Sequence, residues 1–109
     1  MLVATPIYKA AYSGLLKLFL DVLPADALRG KTVLPLATGG SPAHLLALDY
    51  ALKPVLGALG ARHLLDSVYA TDAQLPADGA GGFAPHAELV ERLDRALRPL
   101  IVSSPALAG

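Results

Sequence analysis

The sequence predicts an α/β domain built on an open parallel sheet, in the order β-α-β-α-β-loop-α. Two observations carry this. Three short runs read as strands: Met1 to Ala4, apolar like a strand of a buried parallel sheet, the apolar Thr32 to Ala37, and His63 to Ala70. Between and after them, apolar residues recur at spacings of three and four, the period of helices packed on such a sheet.

The first run is stopped by Thr5-Pro6. From Ser13, a good N-cap, Leu15, Leu16, Phe19, Leu20 and Leu23 mark an amphipathic helix ended by Pro24. The second run contains Pro35, which removes one ladder donor and argues against a regular central strand. It leads through "TGGSP" into a second helix with Ser41 as N-cap and Pro42 at N1. Leu45, Leu46, Leu48, Leu52, Val55, Leu56 and Leu59 form the apolar face of that helix, and Gly57 and Gly60 suit its end. Pro54 cannot donate to the carbonyl of Tyr50 and crowds it, so a bend or π-bulge is expected within Asp49 to Pro54. After the third run, "TDAQLPADGAGGFAP" reads as a loop, and Leu89, Val90, Leu93 and Leu97 mark a last helix ending near Pro99. Residues 103–109 read as a frayed tail and 1–102 as the folded part.

Right-handed crossovers place the first two helices on one face of the sheet and the last on the other, which a single helix covers poorly. The polar segments Thr5 to Lys9 and Thr38 to Ser41 then leave the carboxyl ends of adjacent strands. Open α/β sheets bind ligands there, so these segments are expected to form two walls of one cleft.

Bulk properties narrow the function. Nine Lys+Arg offset nine Asp+Glu among 109 residues, so no basic field draws nucleic acid or an anionic membrane. Apolar residues make up 54% of the chain, and the mean hydropathy of +0.52 is high for so small a domain. Some apolar surface is therefore expected to meet another chain. The stretch Leu15 to Leu23 is interrupted by Lys17 and Asp21 and falls short of the roughly 20 residues a bilayer span needs. With no cysteine and no signal-peptide pattern at the start, the sequence points to a cytoplasmic protein.

No metal site is expected from the spacing of His, Asp and Glu; His44 falls beside the glycines, while His63 and His86 lie elsewhere. Ser13 and Ser41 read as helix caps, outside any Gly-x-Ser-x-Gly context.

Two segments, "VATPIYKAAYSGLLKLFLDVLP" and "GKTVLPLATGGSPAHLLALDYALKPVLGALGA", resemble the NAD(P)H-dependent FMN reductase family. The likeness is greatest to the branch that supplies reduced flavin to alkanesulfonate monooxygenases. It runs from Leu2 to about Asp72 with the order and spacing of the family's second half. It implies a flavodoxin-like three-layer sheet, here truncated to about three strands, with FMN and NAD(P)H as cofactors. By the same resemblance Thr5, Pro6, Ile7, Tyr8 and Lys9, with Thr38, Gly39 and Gly40, contact the flavin ring. An ordinary strand-to-helix connection and a tight glycine turn would also account for these residues.

The resemblance further implies that Met1 to Ala4 matches the family's third strand. The preceding loop that cradles the FMN phosphate would then be lacking, leaving Met1 to Ala4 as an open edge. It also implies an oligomer helix carrying Leu46, Tyr50 and Pro54, where composition alone would favour a half-buried core tyrosine. A flavin-dependent sulfonate monooxygenase is the implied partner, and a homo-oligomer the implied assembly. The alternative function is a non-catalytic module for self-association or docking, derived from such a reductase. An electron-transfer flavodoxin fits less well, because the charge is balanced rather than strongly acidic.

Overall fold

The structure, a computed structural model, describes residues 1–41 and 46–103. Strand β1 (Leu2–Tyr8) pairs in parallel with β3 (Thr32–Gly39), and β3 pairs in parallel on its other side with β4 (His63–Leu64) and β5 (Val68–Thr71). The three expected strands thus lie side by side in chain order. A short strand that the sequence did not announce, β2 (Ala11–Tyr12), turns back antiparallel on the end of β1. Helix α1 is Gly14–Asp21, α2 is Lys53–Ala58 and α3 is Ala87–Ser103.

Both strands that contain proline run longer than expected, and hydrogen-bond direction explains each. The Leu34 N–H donates to the Met1 carbonyl at 2.9 Å. Even-numbered residues of β3 therefore donate toward β1, and the missing N–H of Pro35 faces the other neighbour. There the pairing is interrupted: Val33 is opposite Leu64 and Leu36 opposite Val68, so three residues of one strand span two of the other. This bulge divides the third expected strand into β4 and β5 and accommodates Pro35 in a buried central strand. By the same alternation, the nitrogen of Pro6 faces the open side of β1, so β1 continues through Thr5-Pro6 to Tyr8. Among the described residues, no strand pairs with that open side from Leu2 to Pro6.

The two faces of the sheet are covered as the crossover rule requires. Val3, Val33, Ala37 and Tyr69 pack with Leu20 of α1 and with Leu48, Leu52 and Leu56 of the second helical segment. Leu34, Val68 and Ala70 pack on the other face against Leu89 of α3. Beyond α3, that second face lies open: Leu2 is 53% exposed, and Ala4 and Pro6 beside it are also exposed.

Ser13 caps α1 as expected, its hydroxyl accepting from the Leu16 N–H at 3.2 Å. The helix faces are another matter. Only Leu20 is buried on α1, while Leu15, Leu18, Phe19 and Val22 point outward. The second helix opens as a π-helical turn at Leu48–Leu52, where the Lys53 N–H reaches back five residues to the Leu48 carbonyl. The wider turn relieves the clash between Pro54 and the Tyr50 carbonyl, the irregularity expected at that place. The chain leaves α2 through Gly60 at φ +94°. The expected Pro42 start of that helix, with Leu45, lies outside the described residues.

Helix α3 does not end near Pro99 but continues to Ser103. Residues 104–109 of the expected tail lie outside the described residues. No described helix is long and apolar enough to cross a membrane.

Leu52 is fully buried, whereas Leu18 is 64% exposed. Leu52→Ala should cost about 2–5 kcal/mol in urea unfolding, and Leu18→Ala no more than about 0.5 kcal/mol.

Candidate functional site

The carboxyl ends of β1, β3 and β5 meet at one edge of the sheet. The first wall is the hairpin between β1 and β2. Tyr8 pairs with Ala11 across a two-residue turn, and Lys9 and Ala10 both have positive φ, 51° and 64°. This is the geometry of a type I′ turn, which ordinarily selects Asn-Gly. Its appearance with Lys-Ala explains why the sequence did not announce β2. The turn exposes Tyr8 and Lys9, with Tyr8 63% exposed.

Thr5 stands apart from the residues grouped with it. It is 4% exposed, and its hydroxyl accepts from the Ser13 N–H at 2.9 Å and donates to the Pro6 carbonyl at 2.8 Å. The side chain ties the end of β1 to the start of α1, leaving it no free donor for a ligand. Ile7 is partly buried against the α1 and α2 core, and Pro6 faces the opposite side of the sheet.

The second wall is Thr38–Ser41. Thr38 and Gly40 are exposed and Gly39 is buried. A Cβ on Gly39 would lie 3.5 Å from the Ile7 Cβ, so the two expected walls touch at their base. A third element, not foreseen, closes the edge: a 3-10 turn, Asp72–Gln74, follows β5. Thr71 and Gln74 form a reciprocal capping box there, with the Thr71 N–H donating to Gln74 Oε1 at 3.0 Å. The Thr-x-x-Gln spacing was available in the sequence as a signal for it. Asp72 stands beside the loop, its Oδ2 3.6 Å from where a Gly40 Cβ would be. From α3, Arg92 donates to the Tyr69 carbonyl at 3.3 Å.

Further along, the Asp78 carboxylate accepts from the amides of Ala80 and Gly82 at 2.7 and 3.0 Å. These bonds hold it below the ordinary carboxylate range. Their contribution to loop order is present above the unfolded-state pKa and is lost as pH falls through the depressed folded value.

A cavity of about 380 Å³ lies on the α3 side of the sheet, with Ala4, Leu36, Val68, Ala70, Leu89 and Leu93 among its lining residues. Ala4, Leu36, Val68 and Ala70 hold alternate strand positions facing α3, which contributes Leu89 and Leu93. The cavity is therefore the uncovered core face, and at its carboxyl end it borders the two walls at Thr5, Pro6 and Thr38. His44 lies outside the described residues. Among those described, no group of three or more His, Cys, Asp or Glu could hold a metal ion.

An open parallel sheet with a glycine loop and a strained hairpin at its carboxyl edge is the arrangement at which open α/β proteins bind ligands. A model of the family "NADPH-dependent FMN reductase" matches residues 1–75, and the chain belongs to that family. An FMN reductase (NADPH) of Escherichia coli (strain K12) is 67% identical over 75 residues, 69% of this chain and 39% of that protein. One from Pseudomonas putida is 54% identical over 97 residues, 89% of this chain and 48% of that protein. The apo crystal structure of an NADH:FMN oxidoreductase, EMOB, superposes with a TM-score of 0.81 at 48% identity, covering 97% of this chain and 55% of that one. The chain thus has the flavodoxin-like fold, and it spans less than half the length of these two curated relatives.

The chemistry of the exposed groups suits a flavin ring. Tyr8 offers an aromatic face, Gly40 allows close approach to its backbone, and Lys9 is the only charged residue of the two expected walls.

The left-handed conformation of Ala10 is unfavourable for any residue with a Cβ. Ala10→Gly should raise unfolding stability by about 1 kcal/mol, read from denaturant midpoints.

Proposed function

We propose that residues 1–102 are the carboxy-terminal portion of an FMN reductase domain and supply the walls that hold the flavin ring. The observation that carries the reading is the meeting of the Tyr8-Lys9 hairpin and the Thr38–Ser41 loop at the carboxyl edge of the sheet, in a chain of this family. A flavin ring held by these walls would supply the hydride acceptor, and NAD(P)H the hydride, with the accompanying proton taken from solvent.

The chain's own residues bind and orient. The Thr38–Gly40 backbone would hold the ring edge, Tyr8 would offer it an aromatic surface, and the Lys9 ammonium would favour electron density gathered on the ring. No side-chain acid or base is required, since the cofactors carry the chemistry. The resemblance of Val3–Pro24 and Gly30–Ala61 supports delivery of the product to a flavin-dependent sulfonate monooxygenase, in the cytoplasm where reduced nicotinamides are made.

Because the walls suit a ring rather than a phosphate, riboflavin and FMN should bind this chain with affinities within about tenfold of each other. Tyr8→Ala should weaken both by about 2–10-fold. Fluorescence titration measures both effects, and a preference for FMN well above tenfold would contradict the ring-only reading.

A second reading, self-association, is favoured by the outward face of α1 and the π-turn. Leu15, Leu18 and Val22 are 79%, 64% and 75% exposed, and Tyr50 is 77% exposed, which removes the core-tyrosine alternative. Leu46, Tyr50 and Pro54 recur every four residues and are all exposed. Apolar surface of this kind marks an interface. Light scattering at micromolar concentration should give a mass above the monomer, and Leu18→Glu with Tyr50→Glu should reduce it; a clean monomer for the unaltered chain would overturn this reading.

A further inference from the structure

We infer that Tyr69 is a positioning residue for the flavin-ring wall, latching the Thr38–Ser41 loop from beneath, and that Gly39 is glycine to let the latch close. The inference rests on the reading of that loop as a ring wall.

Tyr69 is paired with Ala37 on the central strand and is only 4% exposed. Its side chain runs toward the carboxyl edge, passes over Gly39, and its hydroxyl donates to the Ser41 carbonyl at 2.6 Å. A buried phenol with no partner would be costly, so this bond fixes both the ring of Tyr69 and the end of the loop.

The path is tight. A Cβ at residue 39 would collide with the Tyr69 hydroxyl and would lie 3.2 Å from its Cζ. Gly39 has no positive φ to justify glycine, so the close approach of Tyr69 is the constraint. A bond on the buried side of the loop leaves Thr38 and Gly40 turned outward, where they are exposed. Tyr69 itself touches no ligand; it acts through the loop. Its own strand is steadied by Arg92, which donates to its carbonyl.

The test compares the 109-residue chain with Tyr69→Phe, Gly39→Ala and the double variant, by hydrogen exchange and by riboflavin titration. Tyr69→Phe keeps the ring and removes only the bond. Amides of Thr38–Ser41 should then exchange about tenfold faster while those of Val33, Leu34 and Leu36 are unchanged, and riboflavin affinity should fall by a similar factor. Gly39→Ala should do the same on its own and cost less in the Tyr69→Phe background than alone, because the colliding oxygen is gone and the Cζ contact at 3.2 Å needs only a small shift. Val68→Ala, a buried control on the opposite face, should lower the melting temperature without altering loop exchange or affinity.

Unchanged loop exchange in Tyr69→Phe, or full additivity of the two substitutions, would overturn the latch. If the unaltered chain binds no riboflavin, the ring-wall reading fails, and the latch is still decided by exchange alone.

Discussion

Strand β3 is bonded on both sides and buried on both faces, and every other element takes its place from it. Val33 and Leu34 are fully buried on opposite faces, Val33 with the α1 and α2 core and Leu34 with α3. Its parallel pairing with β1 and with β5 brings three carboxyl ends to one edge. The site is a consequence of that register: Ile7, Gly39 and Tyr69 come together because their strands are aligned, although they lie far apart in the sequence.

One face of this sheet is well closed and the other is not. The π-turn and α2 bring Leu48, Leu52 and Leu56 down onto β3, each fully buried. On the opposite side, α3 covers β5 and part of β3, while Leu2, Ala4 and Pro6 of β1 remain exposed. High apolar content in a balanced-charge chain becomes intelligible on this basis. Part of it lies on the open core face, and part on the outward stripe of α1, where Leu15, Leu18, Phe19 and Val22 have no neighbour to bury them among the described residues.

What the sequence made legible follows physical rules that act locally. The strand order, the Ser13 cap and the π-turn before Pro54 each depend on a few adjacent residues. What escaped depends on partners distant in the chain. Pro35 and Pro6 argue against strands until the direction of each missing N–H is known, and the bulge opposite Pro35 is visible only once β3 and β5 are paired. The hairpin at Lys9-Ala10 lacks the residues its turn prefers, so strain hides it from a propensity argument. Thr5 matched a binding segment, yet its hydroxyl serves the start of α1. Tyr69 lay unremarked in an apolar run, since nothing local connects it to Ser41, 28 residues earlier.

The proposed place for a flavin ring is the carboxyl edge of the sheet, and not the apolar cavity under α3. Isotope-labelled chain titrated with riboflavin and followed by amide NMR separates the two most directly. Shift changes centred on Tyr8, Lys9, Thr38, Gly39 and Gly40 are predicted. Changes confined to Ala4, Leu36, Leu89 and Leu93 would place the ligand in the cavity and contradict the account.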